Sequence, residues 1–290
     1  MMTPPPFTLG PALLFCPADR PDRYVKALDR ADAVILDLED AVARDRKEAA
    51  RQALVDHPVD PDRTIVRVNA VGTPDHADDL AALARTAYRT IMLPKADGTF
   101  VGPLLGPDGG PYAVVALCET AAGVLAAPAL AARPDIVALA WGAEDLVASL
   151  GGTSSRRADG TYRDVARYAR SAVLVAAAAT GKAAIDAVHL DIGDLDGLRA
   201  EAADAVAVGF AATMCIHPSH ADVIRAAYAP SDEKVAEARE VVGAARRAAS
   251  AGAGVLTVGG RMVDAPLVRH AEAVLRRAGW QDRSGDDAAP

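Results

Sequence analysis

The sequence predicts an α/β fold, a TIM-type (β/α)₈ barrel with a C-terminal helical extension. Three observations carry this expectation. Short apolar, β-rich runs alternate with amphipathic stretches, the pattern of βαβ units around a parallel sheet, and about eight such units close a barrel. No G-x-G-x-x-G turn follows the first run, where the competing open, doubly wound dinucleotide fold would need one. Charged residues recur just after the apolar runs, at the rim where barrels of this type carry their active sites.

Taken in order, strands are predicted over Ala12–Cys16, Ala33–Leu38, Thr64–Val68, Ile91–Pro94, Ala113–Cys118, Ile136–Ala140, Ile185–Val188 and Thr213–Ile216. Each is short, rich in β-branched or aliphatic residues and bounded by polar or turn-forming residues. Helical periodicity fills Pro21–Arg30, Asp45–Val55, Ala77–Arg85, Asp164–Thr180 and Leu195–Val206. The segment 97–110 is rich in Gly and Pro and shows no helical pattern, so one barrel helix is expected to be short or degenerate. The barrel is assigned to residues 10–228. A tail over 229–280 lies outside the repeat, with a helix started by Ser231 as N-cap and Glu233 in its first turn, a Gly-rich loop, and a helix to about Ala278. Residues 281–290 are expected to be disordered.

Composition narrows the function class. The 290 residues are 51% hydrophobic and 24% charged, as in a soluble globular protein. The net charge of −8 argues against a nucleic-acid surface but leaves room for an anionic ligand at a local basic cluster. No apolar run is long enough to span a membrane. The start, MMTPPPFTLG, lacks the basic and apolar regions of a signal peptide. Cys16, Cys118 and Cys215 each sit in an apolar run and read as reduced packing residues of a cytoplasmic protein.

The stretch VILDLEDAV places Asp37, Glu39 and Asp40 at the tip of an apolar strand. Carboxylates are seldom buried without a partner, so these acids need one. Other strands end alike: Arg67 and Asn69 on the third, Lys95 after the fourth, Glu119 after the fifth, Glu144 and Asp145 after the sixth, Asp186 and His189 on the seventh, His217 after the eighth. A single charge at a strand end is usually a solvated loop residue; recurrence on one rim points to a site. Glu119 and Asp145, on adjacent strands, offer two hard oxygen ligands of the kind that hold Mg²⁺. Glu39 and Asp40 could orient waters around it. The competing reading is structural ion pairing of Asp37 and Glu39 with Arg67 or Lys95, and for Asp37 it is the preferred one. Arg67 offers a bidentate fork to a small carboxylate substrate. Arg20, Arg23 and Lys26, with Arg44, Arg46 and Lys47, could receive phosphates, with solvated helix faces as the alternative. His217 and His220, separated by turn-prone Pro218, do not form a metal motif, and His189 and His217 are expected to satisfy rim hydrogen bonds. The Gly- and Ser-rich segment 151–160 reads as a mobile loop near the mouth.

The segments LLFCPADRPDRYVKAL, AVILDLEDAVARDRKEAAR, VRVNA, MLPKAD, ALCETAAGVL, ALAWGAEDL and CIHPSHADVI, in this order, resemble the citrate lyase beta-subunit-like family of the aldolase/citrate lyase superfamily, most of all its stand-alone actinobacterial members. The resemblance spans about residues 10–280. It implies a TIM barrel, usually a homotrimer, that cleaves or forms β-hydroxyacyl-CoA thioesters with Mg²⁺, Mn²⁺ being an alternative. By position it implies Glu119 and Asp145 as metal ligands, Arg67 on the oxo-acid carboxylate, and Glu39 and Asp40 beside metal-bound water. Arg20 and Lys47 are assigned to substrate binding. Asp264 is the acid that such enzymes supply from the C-terminal segment to a neighbouring subunit's site. Two departures bear on CoA recognition: Ala18 stands where the family usually has Gly, and no Lys precedes Ile216-His217-Pro218. The expected reaction is carbon–carbon cleavage of a malyl-, citramalyl-, citryl- or 3-hydroxy-3-methylglutaryl-CoA to acetyl-CoA and an oxo acid. The alternatives are a citrate lyase beta subunit acting on an acyl-carrier-protein thioester, an aldolase for free 2-oxo acids, and a non-catalytic CoA- or metal-sensing partner.

Overall fold

The computed structural model describes residues 4–99, 102–250, 256–258 and 261–279. The chain divides into two compact units, residues 1–225 and 226–290. In the first, eight parallel strands close a barrel in sequence order: β1 (Ala12–Pro17), β2 (Ala33–Asp37), β3 (Thr64–Arg67), β4 (Thr90–Leu93), β5 (Ala113–Cys118), β6 (Ile136–Trp141), β7 (Ala183–Asp186) and β8 (Ala212–Cys215). Strand β8 returns to β1 through Thr213 opposite Ala12 and Cys215 opposite Leu14. The barrel expectation holds, and β7 starts two residues earlier than the sequence suggested.

Eight helices belong to this part of the chain: α1 (Tyr24–Arg30), α2 (Lys47–Asp56), α3 (Pro74–Leu83), α4 (Ala121–Ala131), α5 (Ala143–Ser149), α6 (Asp164–Ala179), α7 (Leu195–Val208) and α8 (Pro218–Tyr228). No helix lies among the described residues between β4 and β5, where the Gly- and Pro-rich segment runs. Helix α4, AAGVLAAPALA, is apolar all round and has no polar face for periodicity to reveal. Pro218 is not a turn residue but the first residue of α8, where its missing N–H costs no hydrogen bond. The 151–160 segment carries its own hydrogen bonds: Arg157 N–H donates to Thr161 O, Gly160 N–H to Arg157 O, and buried Ser155 donates to Glu144 at 2.5 Å.

Side-chain parity explains the barrel's charged rim. Inward-facing residues pack the barrel centre in a cluster that includes Leu13, Ala33, Ile35, Ile65, Met92, Val115, Leu117, Ile185 and Met214. Successive residues alternate faces. Continuing the inward series gives Phe15 after Leu13, Asp37 after Ile35, Arg67 after Ile65 and Glu119 after Leu117. The apolar floor and the charged rim are therefore the same face of the same strands.

In the second unit, α9 (Asp232–Ser250) packs on α10 (Ala265–Arg277) through Ala238, Val242, Ala271 and Leu275. Ser231 Oγ caps α9 by accepting the Lys234 N–H at 3.3 Å. The Gly-rich stretch carries a two-stranded antiparallel ladder, β9 (Leu256–Val258) with β10 (Arg261–Val263), where a loop was expected. The tail beyond residue 280 lies outside the described residues. No helix among those described is long and apolar enough to cross a membrane.

Candidate active site

The C-terminal mouth of the barrel holds a cavity of about 370 Å³. Its wall joins Asp37 and Asp40 from the second strand's end, Arg67, Glu119, and Asp145 from the start of α5, with Phe15, Trp141 and Met214 as apolar lining. Four of the sequence-assigned site residues thus meet in one cavity: Arg67, Asp40, Glu119 and Asp145. Glu39 stands at its edge through ion pairs to Arg67 and Lys95.

Asp37 is fully buried, and its carboxylate is saturated. Oδ1 accepts Arg67 Nε at 2.7 Å and the Glu39 N–H at 2.9 Å; Oδ2 accepts Arg67 Nη2 at 2.6 Å and the Ala41 N–H at 3.0 Å. The two residues are also register partners on β2 and β3. Asp37 is therefore a structural counter-ion that locks Arg67 in a fork and shapes the turn bearing Glu39 and Asp40. Burial opposes the Arg67 charge, but Asp37 and Glu39 hold it firmly protonated. Phe15 lies under its guanidinium, 4.9 Å from the ring centroid. Nη1 is not bonded to Asp37 and is ion-paired instead with Glu39 Oε2 at 3.0 Å, the contact a substrate carboxylate would have to share or displace.

Glu119 is nearly fully buried, and its carboxyl is pushed up to about 8. Burial is the main cause; Asp145 and Glu39 add to it, and Lys95 and Arg67 only partly offset them. Gly142 makes room for this group: a Cβ there would sit 2.9 Å from Glu119 Oε2. Oε1 accepts the Lys95 N–H at 3.1 Å. Glu39 is buried too, its carboxyl raised by desolvation, and its Oε2 has the ion-pair contact with Arg67 Nη1 but no hydrogen bond. Carboxylates crowded together and short of positive charge suit a hard divalent cation. Two of them, completed by water and substrate oxygens, are what Mg²⁺ usually takes. Among the described residues no group of three or more His, Cys, Asp or Glu forms a fuller metal cage.

Other assigned residues of the first unit lie outside this cavity. Arg20 is half-exposed and paired to Asp22 through Nε at 3.0 Å and Nη2 at 3.1 Å, and it lines neither this cavity nor its neighbour. Lys47 directs its ammonium to Leu38 O at 2.7 Å, Glu39 O at 3.0 Å and Asn69 Oδ1 at 2.7 Å, so it braces the loop that carries Glu39. Arg46 faces Asp19 at 3.5 Å. Asp186 faces outward, where Trp141 Nε1 donates to it at 2.6 Å and Arg170 grips it. His189 meets Glu201 at 2.9 Å and His217 meets Ser219 at 2.7 Å. Asp264 is exposed at the start of α10, its Oδ1 accepting the Leu267 N–H at 3.2 Å.

A larger cavity of about 1120 Å³ is lined by Arg23, Lys26, Arg30 and His217, with the acids Asp29 and Asp222 also in its wall, and shares Phe15 and Ile216 with the mouth. Of the proposed basic cluster, only Arg23 and Lys26 reach it. Arg30 and His217 were not assigned to ligand binding from the sequence, because α1 and the start of α8 meet only in the closed barrel.

The comparisons fit this site. The HpcH/HpaI aldolase/citrate lyase family model matches residues 12–99 and 106–218. The chain belongs to the HpcH/HpaI aldolase/citrate lyase family. It is an enzyme of the carbon–carbon lyase class. It is 57% identical over 270 residues to the citrate lyase subunit beta-like protein of Mycobacterium tuberculosis, covering 93% of this chain and 96% of that one. It is 32% identical over 294 residues to the mitochondrial citramalyl-CoA lyase of Mus musculus, covering 92% and 85%. Among solved structures it matches the M. tuberculosis protein CitE in complex with magnesium, acetoacetate and coenzyme A, with a TM-score of 0.84 and 56% identity over 94% of this chain and 99% of that one.

Proposed function

We propose that this lyase cleaves a β-hydroxyacyl-CoA to acetyl-CoA and an oxo acid in a Mg²⁺-dependent reaction. The observation that carries the reading is the pair of cavities that share Phe15 and Ile216 in their walls. An acid-lined mouth suits a metal-chelating acyl group; Arg23, Lys26 and Arg30, which outnumber Asp29 and Asp222 in the neighbouring cavity, suit the phosphates of a CoA tail. The solved CitE complex with magnesium, acetoacetate and coenzyme A supports the same pairing.

Glu119 and Asp145 would hold the metal. Bound there, Mg²⁺ supplies a Lewis acid that stabilises negative charge on the oxygens it chelates. Arg67, held rigid by Asp37, presents Nη1 to the substrate carboxylate and fixes its orientation. In the cleavage direction the bond between the hydroxyl-bearing carbon and the thioester α-carbon breaks. The hydroxyl passes its proton to solvent water in the mouth, its carbon becomes the oxo carbon, and the electron pair leaves as the thioester enolate. Asp264, contributed by a neighbouring subunit of a homotrimer, protonates that α-carbon. The three free, buried thiols support a cytoplasmic setting.

The test offers malyl-, citramalyl-, citryl- and 3-hydroxy-3-methylglutaryl-CoA separately to the purified chain with Mg²⁺ and follows acetyl-CoA. Release from one ester, lost in Glu119→Gln and Asp264→Ala, is expected. Activity only on an acyl-carrier-protein thioester, or on free oxo acids without CoA, overturns it.

A further inference from the structure

We infer that Lys95 is a built-in counter-cation of the acidic rim: its ammonium holds the metal-free site together and competes with the divalent ion. The inference rests on the metal reading of Glu119 and Asp145.

Lys95 touches the acids from both of its ends. Its Nζ donates to Glu39 Oε1 at 2.5 Å and lies 3.6 Å from Asp145 Oδ1 and 3.8 Å from Asp40 Oδ2. Its backbone N–H donates to Glu119 Oε1 at 3.1 Å. One residue therefore reaches four carboxylates contributed after three different strands. Its backbone conformation is uncommon as well. With φ of 50°, Lys95 is the one non-glycine residue among those described with a positive φ. Side chains pay a steric penalty in this region, and it persists where surrounding contacts over-determine it. Here the contacts are the N–H bond to Glu119 and the ammonium bond to Glu39, which need the left-handed turn at the end of β4 to be made together.

The electrostatics follow from these distances. Without the ammonium, the carboxylates of Glu39, Asp40, Asp145 and buried Glu119 would keep Arg67 as their ion-pairing cation, and Asp37 already claims most of Arg67. A divalent ion bound between Glu119 and Asp145 would sit within a few ångströms of Lys95 Nζ and be repelled by it. Lys95 thus stabilises the ligand arrangement before the metal arrives and weakens the metal's hold once it is there. It is a positioning residue and requires no contact with substrate.

The sign of the effect separates this role from a merely structural one. Damage to the site weakens metal binding; removal of a competing cation strengthens it. Mn²⁺ binding, followed by electron paramagnetic resonance of the free ion, would be measured for the wild type, Lys95→Met, Lys95→Gly, Lys95→Arg and Glu119→Gln. Lys95→Met and Lys95→Gly are expected to bind Mn²⁺ about tenfold tighter or more, since a unit positive charge beside a divalent ion is removed. Lys95→Arg, which keeps the charge, is expected to stay near the wild type. The metal-free Lys95→Met protein should also melt at a lower temperature than the wild type and gain more than it does on adding Mg²⁺. Equal or weaker Mn²⁺ binding by both neutral variants, with tight binding by the wild type, overturns the inference and leaves the metal reading standing. Wild-type binding unchanged by Glu119→Gln, or no binding by any variant, overturns both.

Discussion

Replacing Asp37 by Asn tests the claim that this buried acid is the clamp on Arg67. The substitution keeps the shape and removes the charge. The amide oxygen can keep one side of the fork, Arg67 Nε with the Glu39 N–H, or the other, Arg67 Nη2 with the Ala41 N–H. The –NH₂ group then faces two donors and bonds to neither. One of the two lost bonds is charge-assisted, at about 1.5–3 kcal/mol, and the other is an ordinary bond of about 1 kcal/mol. The sum is about 2.5–4 kcal/mol, at the lower end of the cost of breaking a buried ion pair because Glu39 still faces Nη1 of Arg67. For a unit of this size, about 2–4 °C per kcal/mol gives a fall in melting temperature of roughly 10 °C. Differential scanning calorimetry reads this directly, and steady-state kinetics should show a parallel loss in kcat/KM as Arg67 loses its fixed orientation. A melting temperature within about 2 °C of the wild type would refute the reasoning.

Other expectations follow from single contacts. Gly142→Ala places a Cβ 2.9 Å from Glu119 Oε2 and 3.1 Å from its Cβ, so the carboxylate must move; Mn²⁺ affinity and kcat/KM should fall at least tenfold while the melting temperature changes by only a few degrees. His220 is buried against His189 and His217, and burial with their positive field holds its imidazole below the usual range. The unfolded chain therefore binds a proton at about pH 6.5 that the folded chain refuses, so stability falls as the pH drops below that value. A urea series from pH 7.5 to 5 should show this slope in the wild type and a shallower one in His220→Asn. If Asp264 serves a neighbouring subunit, Glu119→Gln and Asp264→Ala proteins, each inactive alone, should regain measurable activity when unfolded together and refolded as a mixture.

The barrel and much of its site were legible because one rule governs both. The period-2 alternation that buries Ala33 and Ile35 carries on to Asp37, and the same rule takes Ile65 to Arg67 and Leu117 to Glu119. What stayed hidden depended on other physics. Helix α4 is apolar on every side, so it lacks the 3.6-residue contrast that marks a surface helix. Pro218 reads as a turn in isolation, yet Pro is equally at home in the first turn of a helix. Arg20 and Lys47 have the charge for phosphate binding, but Asp22 and the Leu38, Glu39 and Asn69 oxygens, respectively, capture them first. Lys95 was visible as a charge after β4. Its importance lies in a left-handed backbone and a contact with Glu39, 56 positions away in sequence, neither of which local pattern encodes.

The most direct test of the central claim is a crystal of the protein grown with Mn²⁺ and an oxo acid, with anomalous scattering recorded at the manganese edge. One strong peak is expected in the barrel mouth, within coordination distance of Glu119 and Asp145, with the oxo acid's oxygens on the same ion and its carboxylate beside Arg67. A mouth without a peak, or an ion held by other residues, would contradict it.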